Sequence, residues 1–593
     1  MNRRLERGRK RYETRIVEQS QKGPVKNQRA LSEKRGIDGR KLLEYIPAML
    51  ITNLSVLMLL SVDGIVVGNL VGANALSAVN IFAPATTMIG VASVLVASGA
   101  GSAISTCMGR NDIDALRHIK SAVRLMMIIS AVIMSIVQIP LVYLIISSYN
   151  LLPEMNQTTW LYAVGIMIST PFGLISTVGV YQLQIVGKMK VLVWLSAMEG
   201  IINLALDLLF VGVLRMGVTG AGFGTACANV VRSTATVIYL ARKTDMFRTN
   251  GVKARWSDIK EILSCGLPEA SNSGINAFQN YFMIQVILSV FGATGGVIKG
   301  VCSFCLSLVN VVINGIQGSM RPLAGILTGG EDHEGLRLLM RQCVGLIVCA
   351  VGAITLVMEF NPGWFFFIHG VKEIPDGGLL SLRFYVVYFV FKGINSLFRL
   401  YLTNRKDTKF STRLTVFGNA TLPGFAFLLS LVFSAPFIWF SYLLTELLIL
   451  SFNLWRYRKW LRQDAENLDP KTSTLYLTVE PERAIEASKE IQQYAVEHGY
   501  SGTIANKIGL CMEEMVAYAT KSQGKDDIRI QITVRFSENE VLFAMLDDGK
   551  CIALDENKEM QDMTVDNYEF IKKLAKSVQY QYILDMNYSI LRF

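Results

Sequence analysis

Histidine and cysteine are too few and too scattered in this chain of 593 residues to form the common catalytic and metal sites. The four histidines are dispersed along the chain: His118, His333, His369 and His498. Neither a zinc site nor a Ser-His catalytic pair can be assembled from them. Cys302 and Cys305 form a C-x-x-C motif inside an apolar stretch, where small residues commonly pack helices together. We therefore expect no enzyme activity, no catalytic residue and no bound metal.

Charge is also scarce, at 18% of residues, whereas 51% are hydrophobic and the mean hydropathy is +0.37. This composition predicts an α-helical polytopic membrane protein. Twelve apolar stretches are long enough to span a bilayer. They are approximately 42–72, 76–108, 117–148, 157–187, 190–214, 217–242, 257–294, 295–328, 335–361, 376–403, 409–434 and 436–457. Lys and Arg concentrate in the loops after the even-numbered spans, which predicts that both termini are cytosolic in the cell membrane.

The spans divide into two halves that resemble each other. Gly109, Asp112, Leu116 and Arg117 recur 220 residues later as Gly329, Asp332, Leu336 and Arg337, and Gly72-Ala73 recurs as Gly292-Ala293 at the same offset. An even number of helices per repeat preserves orientation, as in transporters with parallel repeats. We therefore expect two six-helix lobes, at 42–242 and 243–462.

Both ends of the chain lie outside this helical region. Residues 1–41 hold 14 Lys and Arg against 5 acids and are interpreted as a basic cytosolic tail. Residues 468–593 contain no apolar span and hold 21 acids against 14 bases. Their pattern predicts a soluble α+β domain. Its predicted order is a strand (474–479), helices (481–500 and 503–521), strands (528–536 and 540–547), a helix (567–577) and two short strands to Phe593.

Two carboxylates are predicted inside the membrane. Asp63 lies about 30 Å along the first span and Asp207 about 26 Å along the fifth, counted from their cytosolic ends at ~1.5 Å per residue. An ionisable residue at such depth is expensive and is usually functional. Asn203 precedes Asp207 by one helical turn, and Thr225 in the next span can add a hydroxyl to the same place. Exposure of both acids to water at the outer mouth is the alternative.

The second half has polar stripes instead of matching acids. Asn272, Asn276 and Asn280 follow Glu269 at helical spacing in span 7, and Asn314 lies between Asn310 and Gln317 in span 8. Such stripes are expected to face a cavity rather than lipid, and hydrogen bonding between helices is the alternative. Lys392 in span 10 is a lone cation, and Arg399 is expected to reach the interface.

These segments resemble the MATE (multidrug and toxic compound extrusion) family over about residues 42–460. The similarity is carried by VDGIVVGNLVGANALSAVNIFAP, by the G-x2-D-x3-L of Gly109 and by NLALDLLFVG with GVTGAGFGTA after it. The resemblance implies a twelve-helix antiporter, in a bacterium, that expels cationic or amphipathic compounds against H⁺ or Na⁺. It also implies that the family's ion-coupling residues fall on Asp63, Asn203, Asp207 and Thr225. Where some members have an acid in helix 7, this chain has Asn276, which favours the first lobe for ion coupling.

The acidic C-terminal region resembles the GHKL ATP-binding domains of the anti-sigma-factor type. The resemblance rests on CMEEMVAY from Cys511 and LDDGKC from Leu546. Glu514, Asp547 and Gly549 fall on the nucleotide motifs, but the Mg²⁺-positioning Asn is Tyr518 and the second motif Gly is Cys551. We therefore expect a degenerate site with no ATPase activity, and whether it binds ATP stays open.

The leading hypothesis is thus a secondary-active multidrug efflux antiporter with a non-catalytic cytosolic regulatory domain. It would take small substrates, use no cofactor besides the coupling ion and bind no nucleic acid. One alternative is a flippase for a lipid-linked precursor, which would favour a cationic cavity. The other is a membrane sensor or scaffold whose C-terminal domain binds a regulatory protein.

Overall fold

The computed structural model describes residues 37–71, 73–110, 112–148, 153–244, 246, 251–330, 332–368, 371, 373–433, 435–466, 473–521, 528–537, 540–549, 570–584 and 586–593. The chain divides into two compact units. One is Lys41–Asp464, and the other contains Ala465–Phe593. Each unit is considered separately below.

The unit Lys41–Asp464 is helical throughout its described part. Its helices in the first half are α1 (Ile37–Leu70), α2 (Ala73–Arg110), α3 (Ile113–Ser148), α4 (Pro153–Val186), α5 (Met189–Asp207) and α6 (Val218–Lys243). A π-helical segment, Leu208–Val213, continues α5 beyond Asp207. The helices in the second half are α7 (Trp256–Phe291), α8 (Ala293–Gly329), α9 (His333–Phe360), α10 (Pro362–Ile368), α11 (Gly378–Val386), α12 (Phe389–Asn404), α13 (Thr408–Val432) and α14 (Phe440–Glu466).

Within the described ranges, nine helices are long and apolar enough to cross a membrane. Each of the twelve predicted spans overlaps a helix, but three fall short of that criterion. Helix α6 is rich in glycine and threonine, and α7 carries the polar stripe after Glu269. The predicted span 376–403 is interrupted between α11 and α12, and each piece is short. The protein is a multi-pass membrane protein, and its count of twelve spans and two lobes stays a prediction.

The 220-residue repeat has a structural counterpart at the helix starts. Helices α2 and α8 begin at Ala73 and Ala293, and α3 and α9 begin at Ile113 and His333, each pair separated by that offset. Asp112 accepts a hydrogen bond from the backbone N–H of Ala115 at 2.9 Å. Asp332 accepts the equivalent bond from Gly335 at 2.8 Å. The repeated aspartate therefore caps a helix in each half, because its carboxylate satisfies an N–H that the first turn leaves open.

Glycine allows the C-terminal ends of α2 and α8 to touch through their backbones. A Cβ built on Gly109 would lie 2.2 Å from the carbonyl oxygen of Ile326, and one on Gly329 would lie 2.1 Å from that of Thr106. Only a residue without a side chain fits such an approach, which is the usual reason for glycine at membrane helix interfaces. The repeated glycine of the G-x2-D motif thus joins the two halves of the chain.

The unit that contains Ala465–Phe593 is α+β in its described part. Its elements are β1 (Ser473–Val479), α15 (Ala484–Glu497), α16 (Gly502–Lys521), β2 (Ile530–Ser537), β3 (Glu540–Asp547), β4 (Ser577–Ile583) and β5 (Met586–Arg592). The strands form one antiparallel sheet in the order β1-β2-β3-β5-β4. Alternate residues of β2 and β3, such as Ile532 and Phe543, are buried in one core with α15 and α16. Residues 570–574 are helical, and the earlier part of the predicted helix 567–577 lies outside the described residues.

Replacing Gly109 by alanine is expected to destabilise the helical unit. The new Cβ cannot approach Ile326 without pushing α2 from α8, and such overpacking costs about 1–3 kcal/mol. Gly90→Ala in the same helix is the matched control, because no described atom lies within 4 Å of its built Cβ. Thermal unfolding of the purified proteins measures the difference. Equal unfolding temperatures for the two variants would contradict the backbone contact.

Candidate ion site and substrate cavity

Helix α5 carries a buried polar stripe. Its buried residues Ser196, Glu199, Asn203 and Asp207 recur every three or four positions, so they lie on one face. Asn203 and Asp207 are fully buried and Glu199 is nearly so. From Glu199 to Asp207 the stripe runs about 12 Å along the helix, at ~1.5 Å per residue. The sequence analysis predicted Asn203 and Asp207 in this stripe. It missed Glu199, which lies one helical turn before Asn203.

Helix α6 faces the stripe with matching groups. Arg232 forms a buried ion pair with Glu199 and also donates to Ser196 Oγ at 3.3 Å. One level further out, Asn203 Nδ2 donates to Thr225 Oγ1 at 3.3 Å. Thr225 Oγ1 in turn donates to the carbonyl of Ala221 at 3.2 Å. We call these contacts between α5 and α6, together with that of Asp207 described next, the polar ladder.

At the end of the polar ladder farthest from Glu199, Asp207 lies against the backbone of α6. A Cβ built on Gly224 would be 2.3 Å from Asp207 Oδ1, so glycine is required for the carboxylate to occupy this place. Gly222 similarly lets α6 approach α4, because its built Cβ would lie 2.9 Å from the carbonyl of Tyr162. The glycines of the GVTGAGFGTA segment therefore make room for a buried acid as well as for helix packing.

The structure thus brings together three of the four residues predicted for ion coupling. Asn203, Asp207 and Thr225 meet between α5 and α6, and Asn203 Oδ1 is a buried acceptor without a hydrogen-bond partner among the described residues. The side chain of Asp63 lies outside the described residues, although its helix α1 is described. The outer end of α1 reaches the π-helical segment after Asp207, where Leu70 Cδ1 lies 3.5 Å from a Cβ built on Gly212.

A polar cavity of about 630 Å³ lies between helices of both halves. Helices α4, α5 and α6 contribute to its wall, as do α7, α8 and α12 to α14, and α1 adds Asn53. The predicted residues Asn272, Asn276 and Asn314 line this cavity. Asn280 is exposed and is not among its lining residues, because α7 extends past the cavity by that position. Their role in binding stays a prediction.

The cavity and the polar ladder are connected at their inner level. Glu199 and Arg232 belong to the cavity wall and are also the first contact of the ladder. Asn229, on the same wall, donates to Ser169 Oγ at 2.9 Å and to the backbone carbonyl of Thr225 at 3.2 Å. A movement of Glu199, Arg232 or Asn229 can therefore alter the contact between Asn203 and Thr225, which lies one helical turn away on α5 and α6.

The cavity wall carries ionised groups that the sequence did not reveal as partners. Glu269 on α7 pairs with Arg399 on α12 at 3.1 Å, so the expectation that Arg399 reaches the interface is wrong. Glu446 on α14 accepts a hydrogen bond from Asn395 Nδ2 at 2.7 Å. A search for acids and bases on predicted spans would have found all of these residues. Their pairing joins positions more than fifty residues apart, and helical spacing cannot predict it.

The nucleotide-like residues of the C-terminal unit are partly assembled. Asp547, at the end of β3, is buried and its Oδ1 accepts hydrogen bonds from Asn587 Nδ2 at 2.6 Å and from Gly549 N at 3.1 Å. Burial raises the pKa of Asp547 from 3.8 to about 6, against the lowering effect of these two hydrogen bonds. Glu514 lies half-buried on α16. Cys551 lies outside the described residues.

The fold is that of a helical polytopic membrane protein with a polar cavity, and comparison with known proteins finds similar chains. Residues 48–209 match the family model MatE. "Multidrug export protein MepA" of Staphylococcus haemolyticus is 20% identical over 294 residues, which cover 49% of this chain and 64% of that protein. "Probable multidrug resistance protein NorM" of Photorhabdus laumondii is 21% identical over 272 residues, which cover 44% of this chain and 58% of that protein. The chain therefore spans about three fifths of the length of these curated relatives.

Solved structures give the same result for the fold. "Crystal structure of MATE in the bent conformation" has a TM-score of 0.67 and 19% identity, over 73% of this chain and 98% of that one. "Outward-facing conformation of a multidrug resistance MATE family transporter of the MOP superfamily" has a TM-score of 0.65 and 20% identity, over 73% and 98%. A "MOP superfamily transporter from Pyrococcus furiosus", described as having a "reverse polarity of binding pocket", also has a TM-score of 0.65, at 20% identity over 72% of this chain and 96% of that one. The helical unit therefore has the fold of the MATE structures, and residues 48–209 match the MatE family model.

The contact of Gly224 with Asp207 can be tested by a double-mutant cycle. Gly224→Ala is expected to lower stability by about 1–3 kcal/mol, because its Cβ would displace the carboxylate. In an Asp207→Ala background the same change should cost much less, since the displaced group is gone. Gly200→Ala on α5 is the control, with no described atom within 4 Å of its built Cβ. Thermal unfolding measures all variants, and additive effects of Gly224→Ala and Asp207→Ala would contradict the contact.

Asp547 makes the stability of the C-terminal unit depend on pH. Its folded pKa of about 6 exceeds the ordinary 3.8, so the folded unit binds a proton more tightly than the unfolded chain. Stability should therefore fall by about 2 kcal/mol as pH rises from 4 to 7. Asp547→Asn should remove this dependence, whereas Asp548→Asn should keep it. Hydrogen exchange of the β3 and β5 amides in the intact protein measures it. A pH profile unchanged by Asp547→Asn would refute this assignment.

Proposed function

We propose that the protein is a secondary-active efflux antiporter that expels small organic molecules across the cell membrane in exchange for H⁺ or Na⁺. The observation that carries the proposal is the polar ladder, which begins at a large cavity and ends at a fully buried carboxylate. The two relatives with multidrug names and the fold of MATE structures support this reading. Both termini would be cytosolic, as the loop charges predict.

Ion coupling would occur at Asp207. A buried carboxylate resists ionisation unless a proton or a cation neutralises it. The open acceptor Oδ1 of Asn203 is one helical turn away, and oxygen atoms of this kind suit both a protonated carboxyl group and Na⁺. Asp63 would be the second acid of this site, as the family resemblance implies. Binding or release of the ion would change the hydrogen bond between Asn203 and Thr225.

Substrate would bind in the cavity between the halves. Its volume of about 630 Å³ is within the range of pockets that take drug-sized ligands. Asn272, Asn276 and Asn314 would supply hydrogen bonds to the bound molecule. Since Glu199 and Arg232 belong to both the cavity and the polar ladder, occupation of one site biases the other. That shared pair is the physical basis of exchange in this proposal.

The C-terminal unit would be a regulatory domain without catalytic activity. Asp547 of the resembled ATP motif already accepts two hydrogen bonds at Oδ1 from within the domain, one from Asn587 and one from Gly549. A tyrosine at position 518 cannot hold Mg²⁺ as an asparagine oxygen would. The cytosolic partner of this domain would then be a protein rather than a nucleotide.

Asp207→Asn is expected to abolish gradient-driven efflux while the protein still folds and inserts. The amide cannot alternate between a charged and a neutralised state, so the ion gradient has nothing to act on. The measurement is dye transport in proteoliposomes under an imposed pH or sodium gradient, with Asp114→Asn as an exposed control on α3. Wild-type transport by the Asp207→Asn protein would refute coupling at this site.

Calorimetry of the full-length protein with Mg-ATP tests the role of the C-terminal unit. We expect no Mg²⁺-dependent binding at micromolar ATP and no hydrolysis, because the metal-positioning side chain is absent from the motif. Restoring it with Tyr518→Asn serves as the comparison. Micromolar, Mg²⁺-dependent binding by the unmodified protein would instead make the domain a nucleotide sensor.

A further inference from the structure

We propose that the cavity binds the anionic group, a carboxylate or a phosphate, of a polar organic molecule, and that Arg321 and Lys392 hold it. The inference rests on the proposed transport function and narrows its substrate class. It departs from the expectation of cationic substrates that the sequence suggested. Its basis is the balance of charges on the cavity wall after internal ion pairs are accounted for.

Two of the wall's four cations are already neutralised. Arg232 pairs with Glu199 within the first half, and Arg399 pairs with Glu269 within the second. Arg321 and Lys392 form no ion pair within 4 Å in the described part of the chain. Against these two cations the wall offers one further carboxylate, Glu446, which accepts a hydrogen bond from Asn395 and attracts Lys392 electrostatically. The described wall therefore has a net positive charge.

The guanidinium of Arg321 is fixed in position by packing, and it forms no ion pair with a protein carboxylate within 4 Å in the described part of the chain. Its side chain is 5% exposed, and its guanidinium stacks over the ring of Tyr181 at 4.6 Å from the centroid. Its Nε has no hydrogen-bond partner among the described residues. Glu269 attracts it electrostatically but gives its hydrogen bond to Arg399. A planar guanidinium fixed on an aromatic ring matches the two oxygens of a carboxylate or phosphate.

Lys392 lies in a second positive region on the α12 side of the wall. Its Nζ is 5.9 Å from the ring centroid of Tyr388, which is hydrogen-bonded to Tyr385 at 3.2 Å. Beyond Tyr385 lies Lys299, a buried lysine that donates to the hydroxyl of Tyr442 at 3.1 Å. No carboxylate lies within 4 Å of Lys299 in the described structure. Lys392 on the cavity wall and Lys299 behind it thus place two positive charges on this side of the cavity. These charges favour an anionic ligand and repel an organic cation.

The rest of the wall suits a hydrophilic molecule. Amide side chains predominate among its uncharged members, and Tyr181 is its aromatic member among the described residues. Organic cations in proteins are commonly held by aromatic cages, and this wall does not provide one. The amide groups are Asn53, Gln184, Asn229, Asn272, Asn276, Asn310, Asn314, Gln317, Asn395 and Asn419. The anion can belong to a soluble molecule or to the head group of a lipid, since both present the same chemistry to Arg321.

Binding by the purified full-length protein tests the proposal without any ion gradient. Fluorescence anisotropy with carboxyfluorescein and with ethidium compares an anionic and a cationic dye. We expect the anion to bind more tightly, and Arg321→Gln to weaken it about tenfold or more, the usual loss for a charge-assisted hydrogen bond. Lys392→Gln should weaken it too, Arg321→Lys should lose less, and Glu446→Gln should strengthen it. Arg383→Gln is the matched control, since that arginine is half exposed on α11 and is not among the cavity residues.

Competition separates the two sources of the anion. Displacement of carboxyfluorescein by glycerol phosphate would indicate a soluble substrate, and displacement only by phosphatidic acid in vesicles would indicate a lipid head group. Tighter binding of ethidium, no binding of carboxyfluorescein, or equal effects of Arg321→Gln and Arg383→Gln in variants of normal unfolding temperature would overturn the proposal. Gradient-driven ethidium transport alone would leave the antiporter function standing. Anion binding without gradient-driven transport of either dye would support this proposal and contradict the antiporter function.

Discussion

Enclosure of the Asp207 carboxylate between α5 and α6 is the constraint on which the rest of the first half depends. A carboxylate at this depth needs polar neighbours and a close helix to exclude lipid. Gly224 provides the space, Asn203 and Thr225 provide neighbouring polar groups, and the glycines beside them bring α6 against α4. The same face of α5 then continues to Glu199, at the wall of the cavity.

The second half places its buried charged residues differently. It contains no counterpart of Asp207 among its described helices, and its charged residues surround the cavity. Glu269 forms an ion pair with Arg399 and attracts Arg321 electrostatically, but it forms no ion pair with Arg321 within 4 Å. An excess of positive charge remains on that side. We therefore propose separate roles for the halves, with ion coupling in the first and recognition of substrate charge mainly in the second.

Helix positions were predictable from the sequence because apolar length and turn residues are local signals. All twelve expected spans overlap helices, and β1, β2 and β3 begin and end within about two residues of their predicted limits. The two last strands were predicted without limits, and β4 and β5 lie in that region. The meeting of Asn203 with Thr225 followed from helical spacing and from the glycines opposite. The interruption between α11 and α12 was not predicted, since no proline or charge marks it. The repeated Asp112 and Asp332 were recognised as a pattern, but their capping role required the structure.

Ion pairs across the cavity were beyond sequence reasoning, because they join helices far apart in the chain. Arg399 was expected at the interface and instead pairs with Glu269. The most direct test of the account is ion release on substrate binding, followed with proton- and sodium-selective electrodes on the purified protein. We predict that adding a transported dye releases H⁺ or Na⁺ from the wild type, and that Asp207→Asn binds the dye without releasing either ion. Equal release by both proteins would contradict the proposed link between the cavity and Asp207.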